Sequence, residues 1–274
     1  MICKKCNYRN KVGEKNCVCC GEALGVETTE DKFKRNLHVK FKTANFIIYI
    51  VSLICCSLSY LIMGIGVCVI NASKSIGLAV TLGFTFLPLA ITAAISAVKG
   101  ILVCVAQTPS KKHVGGIGVF GKCQKIIGIV WLIELMGICK MVETSEVYFV
   151  NPIFLFATAP IAILSIPAGR TVYRNFCLLE EMMADGKDRL DKLLSGSMFL
   201  YIFCIFMGYV AITWFVCVFR GTLDTTVVLL TVLMCVVAVH YLISAIFVKD
   251  VESVRVLMKE ETIKAEKEKL GTYH

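Results

Sequence analysis

A chain of 274 residues with 57% hydrophobic side chains, 18% charged residues and a mean hydropathy of +0.75 is too apolar for an ordinary soluble domain. Its 15 cysteines do not make it a secreted disulfide scaffold, because such scaffolds are short and lack room for a large core. The net charge of +9 is unevenly distributed, and that distribution carries information about orientation.

The chain opens with Cys3-Lys-Lys-Cys6 and Cys17-Val-Cys-Cys20-Gly21, two C-x-x-C knuckles separated by ten residues. Each knuckle lets two sulfurs converge on one ion, and two knuckles complete the tetrahedron of thiolates that zinc prefers. Gly21 follows the second knuckle where a positive φ is often needed, and Asn7 holds the equivalent place after the first. Five cysteines lie here and four fit. Cys3, Cys6, Cys17 and Cys20 keep both spacings, whereas using Cys19 would shorten the second knuckle and lose its following glycine. Cys19 is therefore the spare thiol. An all-Cys site has no open position for water, so one Zn²⁺ here reads as structural rather than catalytic. Paired disulfides and a rubredoxin-like iron site are the other readings of the same thiols, the first disfavoured by a reducing compartment.

The segment CKKCNYRNKVGEKNCVCCGEAL resembles the short zinc-ribbon heads of many bacterial and archaeal proteins, membrane-anchored ones among them. Asn10, Gly13, Lys15, Gly21 and Leu24 match that pattern. Asn7 stands in place of the first glycine, and Asn16 in place of the aromatic before Cys17, which implies a thinner ribbon core. The resemblance covers 22 of 274 residues and implies a zinc-ribbon head on a prokaryotic multi-pass protein. The knuckle at residue 3 leaves no cleavable signal peptide to be seen.

Residues 25–43 form a basic juxtamembrane linker, with Lys32, Lys34, Arg35, Lys40 and Lys42 interleaved with Phe33, Leu37 and Phe41. Its position beside the first apolar run favours anionic lipid headgroups over nucleic acid. Six apolar runs follow, at 44–70, 76–106, 123–142, 147–169, 197–219 and 226–248. Each is long enough to cross a bilayer as a helix, which takes about 17–25 residues. The second is overlong and is expected to tilt, kink near Pro88 or continue beyond Lys99.

The Lys and Arg residues orient these runs. Segments 1–43, 107–125, 170–196 and 249–274 hold 25 of the 29, which places them and both termini in the cytosol. The opposite turns, 71–75, 143–146 and 220–225, are very short and pair the spans as hairpins. The expected fold is thus an all-α polytopic membrane protein of the cytoplasmic membrane, with six transmembrane helices as three antiparallel hairpins. Residues 1–24 form the zinc ribbon, 25–43 the linker, 44–248 the membrane domain and 249–274 a charged helical tail. Helical spacing of apolar residues also runs through 170–196, with Asp185–Arg189 and Asp188–Lys192 as i,i+4 pairs. The tail, with Glu260–Lys264 paired in the same way, reads as solvated.

Ionisable residues inside the apolar runs are functional candidates by default. Lys99 lies where its stem can snorkel to the headgroups. Glu134 falls near the middle of the third run and His240 three residues past the centre of the sixth, a depth difference of roughly 5 Å that tilted helices can bridge. A contact between them would serve either as a proton relay or as a helix–helix clamp. Pro88, Pro152, Pro160 and Pro167 read equally as breaks lining a cavity or as ordinary membrane-helix prolines. No serine-nucleophile motif, HExxH, phosphate loop or acidic metal pair appears, so an enzyme has no positive support. Two functions remain in play: a membrane-tethered module whose ribbon recruits a cytosolic protein partner, and a small-solute or ion transporter or channel using Glu134 and His240.

Overall fold

In the computed structural model the described residues are 5–10, 16–21, 29–72, 76–106, 111–143, 152–194, 196–220 and 225–271. Among them the chain is helical, with isolated β-bridges at Arg9 and Asn16 as its sole extended pairing. The order is α1 (Thr29–Lys40), α2 (Ala44–Ala72), α3 (Ile76–Val105), α4 (Lys111–Ile117), α5 (Val119–Glu143), α6 (Pro152–Asp185), a 3₁₀ turn (Leu190–Lys192), α7 (Gly196–Arg220), α8 (Thr225–Glu252) and α9 (Val254–Gly271).

Five stretches of described residues are long and apolar enough to cross a membrane: Ala44–Gly66, Thr85–Val105, His113–Ile133, Leu190–Phe219 and Val228–Glu261. Of the expected run 147–169, residues 147–151 lie outside the described set, and α6 passes through the remainder. The outward faces are as apolar as the inward ones. On α2 the exposed residues include Ile47, Ile48, Val51, Ile54, Leu58, Leu61, Ile62 and Ile65, where a water-facing helix would carry charge. The most extensive packing joins α2 to α3, α5 to α6, α7 to α8 and α2 to α8.

Two aromatic groups tie the helices together. Phe41, Phe46, Tyr49, Phe176 and Phe247 join the α1–α2 junction to α6 and α8, with ring centroids 5.0 Å apart for Phe41–Phe46 and 5.1 Å for Phe46–Phe247. Tyr60, Phe86, Phe120 and Trp131 join α2, α3 and α5, with Phe86 and Trp131 edge to face at 5.3 Å.

The glycines preceding the third run have a packing role. α4 and α5 lie against α6 so closely that a Cβ on Gly121 would stand 2.7 Å from the carbonyl oxygen of Gly169. A Cβ on Gly169 would in turn collide with the carbonyl of Gly121. Neither obstacle is a side chain that can turn aside.

The prolines do not break their helices. α3 runs continuously through Pro88 and past Lys99, and α6 begins at Pro152 and runs through Pro160 and Pro167. Pro152 opens α6, where its missing N–H costs nothing. Thr92 donates to the Pro88 carbonyl at 2.7 Å, and Thr171 donates to the Pro167 carbonyl at 2.8 Å. A hydroxyl four residues after each of these two prolines thus bonds the proline's own carbonyl, in the turn that follows it.

The helix expected through 170–196 stops at Asp185. Gly186 takes φ +75 and donates to the Met182 carbonyl at 2.9 Å, the left-handed cap that ends a helix without steric cost. Asp185 still pairs with Arg189 at 2.7 Å, but across this turn rather than along a helix. Asp188 accepts from Arg255 of α9 at 2.6 and 3.0 Å instead of pairing locally with Lys192. The tail touches its neighbours at a few points while most of its described residues stay exposed: Arg255 also reaches Asp191 at 3.2 Å, and Glu261 accepts from Asn36 of α1 at 3.4 Å. The Glu260–Lys264 pair lies outside the described side chains.

Gly169→Ala is expected to force α5 and α6 apart and cost about 1–3 kcal/mol. Gly208→Ala, where an added Cβ meets nothing within 4 Å, should leave stability unchanged or slightly raised. Thermal unfolding of the two variants in the same detergent makes the comparison.

Candidate functional site

The head is organised by its two tight turns. Asn7 has φ +54 and Gly21 φ +69, both left-handed, as the residues following the two knuckles require. Gly21 donates to the Cys17 carbonyl at 2.8 Å and closes the second turn. These turns bring the Sγ atoms of Cys6, Cys17 and Cys20 within 4.8 Å of one another, with Cys6 and Cys17 only 3.5 Å apart. That distance is far too long for a disulfide between them. It suits two thiolates sharing a metal, since metal–sulfur bonds of zinc length in a tetrahedron put sulfurs about 3.8 Å apart. Cys3, the fourth expected ligand, lies outside the described residues, and Cys19 is exposed and stands outside the cluster.

Asn10 is the residue that sequence reasoning undervalued. Matched only as part of a pattern, it is buried and bridges both strands of the head. Its amide donates to the Tyr8 carbonyl at 3.0 Å and to Cys17 Sγ at 3.3 Å, and its oxygen accepts from the Val18 N–H at 2.9 Å. Burial pushes the Cys17 thiol up, but hydrogen bonds from the Cys20 N–H, the Asn10 side chain, the Cys19 N–H and Cys6 outweigh it and bring the pKa down to about 6. Cys17 is therefore prepared to be a thiolate, the form that binds metal. The donor set fits a metal ion held by thiolates, and these three residues would hold it.

The linker is not a free basic strand. It forms α1, with Phe33, Leu37 and Phe41 buried and Lys32, Arg35 and Lys42 exposed. Lys40 turns inward and meets Asp250 of α8 at 2.7 Å, both side chains being largely buried. Asp250 also accepts from Thr43 at 3.0 Å and from Asn45 at 3.2 Å, so its two oxygens serve three donors. Lys40 is thus unavailable to lipid headgroups, and Arg35 stands 4.0 Å from Glu261 of α9.

The intramembrane candidates separate. Lys99 is half-buried, and a Cβ on Gly116 of α4 would stand 3.2 Å from its Cγ, so its stem packs along that helix. His240 is fully buried and bonded through Nδ1 to Ser52 at 2.8 Å. Its ring lies 5.7 Å from that of Phe120, fourteen residues before Glu134 in α5. At about 1.5 Å rise per residue the Glu134 backbone stands about 21 Å further along that helix. The depth match drawn from the centres of the apolar runs is therefore corrected by helix stagger. The Glu134 side chain lies outside the described set.

No protein-family model, curated protein or solved structure matches this chain.

Three outcomes are expected at the head. Cys17→Ser should abolish stoichiometric metal binding, Cys19→Ser should leave it intact, and Asn10→Ala should weaken affinity ~10–100-fold. Elemental analysis and chelator competition measure them, and loss of the metal in Cys19→Ser alone would overturn the ligand assignment. At the root of the head, Asp250→Ala leaves Lys40 buried without its partner and should cost ~3–5 kcal/mol. Pairing Lys40→Met with Asp250→Leu should recover most of that in the same unfolding assay.

Proposed function

We propose that this chain is a multi-pass protein of the cytoplasmic membrane whose head is a structural zinc ribbon that recruits a cytosolic protein partner. In this reading Cys3 joins Cys6, Cys17 and Cys20 as the fourth ligand of one Zn²⁺. Six spans form three antiparallel hairpins, with both termini in the cytosol. The intimate packing of α2 with α3, α5 with α6 and α7 with α8 supports the hairpins. The distribution of Lys and Arg supports the orientation.

One observation carries the recruiting role: the helix that follows the head is anchored. α1 buries its apolar face, and the Lys40–Asp250 pair fixes its end against α8. A closed thiolate site offers no open coordination position for chemistry on a substrate. A metal-stapled knuckle preceding an anchored helix suits docking better than it suits catalysis. The exposed Lys32, Arg35 and Lys42 and the half-buried Lys34 would rest on anionic headgroups beside it.

The transport reading loses two of its supports. Glu134 stands far along α5 from the level of His240, and the helices continue through their prolines.

Photo-crosslinking from Tyr8 or Val18, both exposed on the head, tests the recruiting role in the full-length membrane-embedded protein. A crosslinked cytosolic protein that disappears in Cys17→Ser, while the bundle stays folded, is the expected result. Crosslinks that ignore the metal would refute the reading. For orientation, single cysteines placed at Ser73, Ser145 and Thr222 should react with an impermeant thiol reagent from outside the cell. Those placed at Ser110 and Ser195 should react only after permeabilisation, and external reaction there would reverse the topology.

A further inference from the structure

Where α2, α5 and α8 meet, the bundle encloses polar groups that the protein itself does not pair. His240 is the centre of this group. Ser52 Oγ stands 2.8 Å from His240 Nδ1 and 2.7 Å from the Tyr49 carbonyl. Ser52 can donate to either, and the ring takes the tautomer that completes the bond at Nδ1. Nε2 then carries the opposite role, as a bare acceptor or as an N–H donor. It is buried and has no hydrogen-bond partner.

Two further atoms share this condition. The Tyr49 hydroxyl is buried without a partner, and its ring lies 5.2 Å from the His240 ring. Gln124 accepts from the Tyr241 hydroxyl at 3.1 Å through Oε1, leaving Nε2 unpaired, and the Tyr241 ring lies 5.6 Å from that of His240. Exchanging the two ends of the amide would only move the deficit to the oxygen. An unpaired imidazole nitrogen, an unpaired amide end and a hydroxyl capable of both roles thus lie on His240 and on side chains joined to it through the Tyr49 and Tyr241 rings. In an apolar surrounding each such group left unpaired costs free energy on the order of 1–3 kcal/mol or more.

We propose that this set of side chains is a built site for internal water, bound to His240 Nε2 and to the Tyr49 and Gln124 groups beside it. The chemistry selects the ligand. Among the described residues no carboxylate belongs to this set to hold a cation, and no lysine or arginine to hold an anion. The rings of Phe120 and Tyr241 lie 5.7 and 5.6 Å from that of His240, so the imidazole is enclosed by aromatic side chains. Water is the smallest molecule that donates and accepts together, and buried waters typically make two to four such bonds. This site does not depend on the recruiting role of the head. It makes His240 a hydrated imidazole rather than a dry helix–helix clamp.

Radiolytic hydroxyl-radical labelling of the full chain in lipid nanodiscs tests this, since radicals form from bound water itself. Tyr49 is expected to be oxidised although it is buried. Trp131, at least as reactive and also buried, should stay unmodified because no unpaired polar atom accompanies it. In His240→Phe the labelling of Tyr49 should fall to the Trp131 level, and in His240→Gln, which keeps an acceptor, it should persist. Absence of Tyr49 labelling in the unaltered protein would overturn the proposal. So would equal labelling in a folded His240→Phe variant. If His240→Phe does not fold, the comparison of Tyr49 with Trp131 in the unaltered protein decides alone.

Discussion

The carboxylate of Asp250 is the fixed point of the head end. A carboxylate partly withdrawn from water keeps its charge at least cost where its lone pairs are satisfied, and here an ammonium, a hydroxyl and an amide all converge on it. Those donors come from consecutive parts of the chain: Lys40 ends α1, Thr43 lies in the turn, and Asn45 opens α2. One side chain on α8 therefore sets both the end of the linker helix and the entry angle of the first long apolar helix. Phe41 and Phe46 then pack edge to face beside it and against Phe247, so the polar lock sits beside an aromatic one.

The bundle itself is held by two different means. Between α5 and α6 the backbones approach to the distance that only glycine permits, as in membrane helices generally, where close packing replaces a hydrophobic driving force. Between α2, α3 and α5 the gap is wider and filled by Tyr60, Phe86, Phe120 and Trp131. Small residues and large rings thus set two different interhelical spacings in one molecule.

Much of this was legible in the residues, and the failures share one cause. The left-handed turns at Asn7 and Gly21 could be read because few residue types tolerate that backbone, and the spans because hydropathy is a local property. Pairing across sequence was not legible. Arg255 meets Asp188 over 67 positions, and Lys40 meets Asp250 over 210, so charges that looked solvated proved to be partnered. Depth was not legible either: the centre of an apolar run locates a residue within its own helix, not against the stagger of its neighbours, and it is Phe120, near the start of α5, whose ring stands beside His240. Nor was the need for glycine at position 121 legible, because its reason, the backbone of Gly169, lies on another helix.

The Gly186 turn has a consequence in time. A side chain there would strike Glu30 and Lys34, so α1 rests directly on the end of α6, and its remaining anchors are Asp250 and Glu261. During synthesis α1 emerges long before these two partners, which follow Lys40 and Asn36 by 210 and 225 positions. The linker helix must therefore wait, unmoored, while the helices between are made and inserted. Contacts of such long sequence separation close late. Until then the apolar side of α1, with Phe33 and Leu37, is open to whatever the surrounding compartment contains.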